Sequence, residues 1–149
     1  MTPAEALVEG RRAAERNAWS EAFDLFAAAD RENEALEPAD LKAVAEAAWW
    51  TGRLDECIAF RERAFAAYVD SGDPRGAAMV AMGLAKDNYA KGAASVGTAW
   101  VKRAERLLAD EPDSVEHGWL HRLRSVIALE GTGDYEEALA EARTARAMS

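Results

Sequence analysis

Residues 38–74 read PADLKAVAEAAWWTGRLDECIAFRERAFAAYVDSGDP, and their periodicity decides the fold. Leu41, Val44, Ala45 and Ala48 recur at three- and four-residue steps, the spacing that lines one face of a helix. Trp49-Trp50 close that helix, Gly52-Arg53-Leu54 make a turn, and a second helix carries Cys57, Ile58, Arg61, Ala64, Phe65 and Tyr68. Ser71-Gly72-Asp73-Pro74 stops the second helix and caps a third. Glycine accepts the left-handed backbone of a helix end, and proline opens a helix where its missing N–H costs nothing. The stretch is one helix-turn-helix hairpin.

The same unit extends in both directions. Pro3, Pro38, Pro74 and Pro112 recur at intervals of 35, 36 and 38 residues, the period of helical-hairpin arrays. Upstream, Thr2-Pro3-Ala4-Glu5 forms a capping box for a helix that ends near Arg16. Asn17-Ala18-Trp19 turns the chain into a second helix with Ala22, Phe23, Phe26 and Ala29 on its apolar face. Downstream, Ala81, Leu84, Ala85 and Tyr89 precede a turn at Lys91-Gly92, after which Gly97, Trp100, Val101, Ala104 and Leu107-Leu108 resume the pattern. Gly97 weakens its helix, which predicts a second backbone passing close by. A fourth unit opens at Pro112-Asp113 with Glu116 in capping-box position, passes Trp119, Leu123, Val126, Ile127 and Leu129, and turns at Gly131-Thr132-Gly133-Asp134-Tyr135. Its second helix runs from Glu136 to about Met148. The expectation is an all-α chain of eight helices forming a single domain over 1–149, with units near 2–36, 37–72, 73–110 and 111–149.

Composition narrows the function. Half of the 149 residues are apolar but only 8% are aromatic, and alanine supplies nearly half of the apolar count, which suits helices packed at short distance. The formal charge is −9, from 18 basic against 27 acidic residues, and the basic ones are scattered. Phosphate backbones are repelled by such a surface, so direct nucleic-acid binding is not expected. Cys57 is the single cysteine, which excludes an intrachain disulfide, and its place among small residues reads as a buried inert thiol. The opening residues lack the apolar core of a signal peptide and no run approaches a membrane span, so a cytoplasmic location with no membrane partner is expected.

The residues also carry a likeness. Gly133-Asp134-Tyr135-Glu136-Glu137-Ala138, with Ala142 and Ala145 after it, resembles the turn and second helix of a tetratricopeptide repeat (TPR). Aligning the other turns on it sets Ala22, Phe26, Ala29, Cys57, Ala64, Gly97 and Ala104 on the small and bulky consensus positions of second helices. Gly10, Ala45 and Ala85 fall on the consensus glycine of first helices. The chain departs from the pattern in lacking the first-helix tryptophan in every unit and in carrying Arg61 where a bulky apolar residue is usual. The resemblance implies a right-handed superhelix of about four TPR-like hairpins. A finer likeness lies in Glu9-Gly10-Arg11-Arg12-Ala13, Ala48-Trp49-Trp50, Arg61-Glu62-Arg63-Ala64-Phe65, Gly72-Asp73-Pro74-Arg75-Gly76-Ala77-Ala78 and Glu116-His117-Gly118-Trp119-Leu120. These are similar to the helical-repeat region of LuxR-type transcriptional regulators and related bacterial signalling proteins, in which the repeats are the sensing or interaction part.

Catalytic signatures are lacking. His117 and His121 share a helical face, but Gly118 stands where the zinc-peptidase signature needs glutamate and the sequence fixes no third ligand, so packing or groove-lining histidines are the expected reading. Neither a phosphate loop nor a dinucleotide-binding glycine motif occurs. No catalytic residue, metal or cofactor is expected. In the architecture the resemblance implies, first helices line the concave face, and the residue after each packing position points into it. That rule selects Arg11, then Lys42, Glu46 and Trp49, then Met82, Lys86 and Tyr89. Their mixed aromatic and charged character suits a protein segment or small ligand. Trp19, Trp100 and Trp119 are expected in packing between helices. The rival reading is a scaffold or self-association module, with a homodimer through the C-terminal hairpin, where Ala138, Leu139, Ala142, Ala145 and Met148 form an uncapped apolar face.

Overall fold

A computed structural model describes residues 1–131 together with Thr144. The expected eighth helix apart from Thr144, the expected turn beyond Gly131 and the expected C-terminal self-association face lie outside the described residues. Among those described there are seven helices and no strand. They are α1 (Pro3–Glu15), α2 (Trp19–Arg31), α3 (Pro38–Trp50), α4 (Leu54–Asp70), α5 (Pro74–Ala90), α6 (Ala94–Leu108) and α7 (Val115–Gly131).

Five successive helices end in one and the same backbone device. Asn17, Asn33, Gly52, Gly72 and Gly92 have φ of 59°, 60°, 75°, 74° and 86°. The amide of each following residue donates five residues back, from Ala18 to Ala13, Glu34 to Ala29, Arg53 to Ala48, Asp73 to Tyr68 and Ala93 to Asn88, at 2.8–3.0 Å. This is the Schellman termination, which satisfies the last carbonyls of a helix and turns the chain sharply. Its recurrence makes the array regular from one helix to the next.

Helix starts are less uniform. Proline opens α1, α3 and α5, with Thr2 accepting from the Glu5 amide and Asp73 from the Gly76 amide. The fourth unit corrects the sequence reading, because α7 begins at Val115, three residues beyond Pro112. Ser114 takes the capping place: its carbonyl accepts from the amides of His117 and Gly118, and its hydroxyl lies 2.8 Å from Nδ1 of His117. His117, not Glu116, is the residue that closes this cap.

Each helix packs on the next in the chain, and α1 also meets α3 while α5 meets α7. Gly10, Ala22, Phe26, Ala29, Ala45, Cys57, Ala64, Ala85, Gly97 and Ala104, the positions aligned on the repeat consensus, are all buried. The described chain is thus an all-α stack of TPR-like hairpins. Small side chains at these contacts let backbones approach: a Cβ on Gly97 would lie 3.1 Å from the Ala85 carbonyl oxygen of α5. One core cluster gathers around Phe26 and Val44, another around Leu84, Trp100 and Leu108, and Leu36 and Phe60 pack on both.

Candidate functional site

A cleft of about 520 Å³ crosses α3, α5 and α7. Its apolar wall is Met79, Val80 and Met82 from α5 with Leu123 and Val126 from α7. Helical spacing explains the wall, since 79, 82 and 83 on α5 and 119, 122, 123 and 126 on α7 each recur on one face. Lys42 and Glu46, one turn apart on α3, close one side, and Trp119 and Arg122 the other.

Beneath the cleft lies a buried polar network. Arg61 of α4 donates from Nη1 to Oδ1 of Asp87 at 2.6 Å and to the Gly83 carbonyl at 3.1 Å, and from Nη2 to Oε2 of Glu46 at 3.2 Å. Both Arg61 and Asp87 are buried. The Cys57 thiol donates to the other Asp87 oxygen at 3.4 Å. Burial raises the Asp87 carboxyl above the usual aspartate range, while the charge and hydrogen bonds of Arg61, with the bond from Cys57, oppose that rise. Burial likewise pushes the Cys57 thiol up to about 12, so it stays protonated. Gly83 is what admits the guanidinium: a Cβ there would lie 3.1 Å from the Arg61 Cζ.

The seven groove residues expected from sequence fall into three settings. Lys42, Glu46, Met82 and Lys86 come together around the cleft. Trp49 is not on the lining but backs Lys86, whose Nζ lies 4.2 Å from the ring centroid. Arg11 is elsewhere, donating from Nε and Nη2 to the two oxygens of buried Asp40 at 2.8 and 2.7 Å and so tying α1 to α3. Tyr89 faces α6, sharing a 2.8 Å hydrogen bond with Thr98 and packing on Gly97.

Sequence reasoning omitted the fourth unit's contribution. Trp119 was expected in packing between helices, yet it is 46% exposed and faces the cleft under the guanidinium of Arg122, 4.8 Å from its ring centroid. Trp100 is packed as expected, edge-on to Phe65. Of the Trp49-Trp50 pair, Trp50 is exposed and donates from Nε1 to Glu46. Arg61 carried a signal, a charge in an apolar register position, that could have pointed to the buried network. His117 is engaged by Ser114 on one ring nitrogen and by the Leu108 carbonyl on the other. Among the described residues no three His, Cys, Asp or Glu side chains converge as metal ligands, and no helix is long and apolar enough to cross a membrane.

No family model matches the chain, and no curated protein matches it. Among solved structures the chain is similar to one titled "MamA MSR-1 C2", with 18% sequence identity over 98% of this chain and 95% of that one and a TM-score of 0.38.

Proposed function

We propose that this chain is a non-catalytic recognition module that holds a segment of a partner protein in the α3–α5–α7 cleft. The observation that carries this reading is the cleft itself: methionine and aliphatic walls, Trp119 on one side, Lys86 backed by the Trp49 ring, and charged groups on its rim. Apolar surface supplies binding free energy, edge aromatics act as anchors, and a few placed charges fix register. The buried Arg61–Asp87 pair serves as its rigid floor. The likeness of the repeat segments to LuxR-type regulators supports a place in a bacterial regulatory protein, acting in the cytoplasm beside a separate effector domain.

The test is capture of partners from lysate by the immobilised chain, compared with Leu123→Glu in the cleft and Arg63→Ala on the exposed side of α4. Loss with Leu123→Glu alone is the expected result. Loss with Arg63→Ala and not with Leu123→Glu would instead favour a scaffold that works through its outer face.

A further inference from the structure

The rim of the cleft has a charge opposite to that of the chain. The whole chain carries −9, yet Lys42, Lys86 and Arg122 surround the opening and Arg61 lies in its floor. Glu46 is the one acidic residue on the lining, and it already accepts from Arg61 and from Trp50. Neither Lys42 nor Lys86 makes an ion pair with another described residue, and Lys86 is held over the cleft edge by the Trp49 ring. A basic segment would meet three like charges with its one counter-charge occupied. An acidic segment meets preplaced cations beside a low-dielectric wall, where Coulomb attraction is stronger than in open water.

Resting on the recognition reading above, we infer that the cleft selects an acidic, apolar protein segment: carboxylates on Lys42, Lys86 and Arg122, and bulky aliphatic or aromatic side chains against Met79, Met82 and Leu123. The reach across three helices favours a polypeptide. Packed helices lie roughly 8–10 Å apart, so the path from α3 to α7 is on the order of 20 Å. An extended chain rising about 3.3 Å per residue covers that in about six residues. Methionine walls adapt to side chains of differing shape, so the selection falls on charge more than on one apolar residue. Single-stranded nucleic acid matches the rim but not the aliphatic wall, and the surrounding negative charge repels it.

The experiment measures fluorescence anisotropy of the full chain with two labelled pools of peptides about ten residues long. One pool intersperses Glu and Asp with Leu, Phe and Met; the other carries Gln and Asn in place of the acids. A labelled dT oligonucleotide is the third probe. The acidic pool should bind at least about tenfold more tightly than the amide pool, weaken with added salt, and lose that advantage with Lys42→Gln/Lys86→Gln. Trp119→Ala should weaken both pools alike, and circular dichroism should show each variant folded. Equal binding of the two pools would overturn the charge inference and leave the recognition reading standing. Binding of neither pool would overturn both, and tighter binding of the oligonucleotide would overturn the choice of a polypeptide.

Discussion

Arg61 and Asp87 meet across α4 and α5 at 2.6 Å, both buried, directly below the cleft. A buried ion pair contributes little net stability over an apolar pair of the same volume, but breaking one side leaves a charge without a partner.

Arg61→Met should therefore cost about 3–5 kcal/mol in urea unfolding, and Arg61→Met with Asp87→Leu should recover most of it. Additive losses in the double variant would show that the two residues are not coupled and would contradict the pairing.

The pair also shows what the sequence could and could not convey. Local features were legible: apolar spacing placed every described helix, and Gly52, Gly72 and Gly92 fell in turns because left-handed backbone favours glycine. Partners across helices were not. Asp87 follows Lys86 on a helix whose other residues are mostly small or apolar, and nothing local says that its carboxylate meets an arginine 26 residues earlier. The groove rule selected Lys42, Glu46, Met82 and Lys86, which line one cleft, because the inner face of a first helix is fixed by its own periodicity. It also selected Arg11 and Tyr89, which Asp40 and Thr98 engage elsewhere, and it stopped short of α7, where Trp119 and Arg122 complete the rim.

Asp30 and Arg63 join α2 to α4 by two hydrogen bonds of 2.8 and 2.9 Å. Those bonds lower the Asp30 carboxyl below its ordinary range, partly offset by burial. A carboxyl lowered in the folded state adds stability that is present above its unfolded pKa and lost as pH falls through the folded one. Arg63 is half exposed, so the contribution should be at most about 1 kcal/mol. Urea unfolding between neutral pH and pH about 3 should show that loss in the parent chain, with a shallower decline in Asp30→Asn.

Cys57 should resist modification in the native state. With its thiol pushed up to about 12 by burial and hydrogen-bonded to Asp87, it should not react with a disulfide reagent at pH about 8 until denaturant is added. Rapid stoichiometric labelling of the folded chain would contradict the packing of α4 against α5.

The repeated helix terminations can be tested at Gly52, where φ is 75° and a Cβ would meet nothing within 4 Å. Gly52→Ala should cost about 1 kcal/mol from backbone strain alone, read as a shift of the urea midpoint with an unchanged slope.

The central claim, that the α3–α5–α7 cleft holds a partner protein, is tested most directly by photo-crosslinking in cells. Benzoylphenylalanine is placed at Trp119 or Val126 in the cleft, and at Val69 of α4, which is exposed outside it. The account predicts covalent adducts to the same partner from Trp119 and Val126 and none from Val69. Adducts from Val69 alone, or only adducts between copies of this chain, would contradict it.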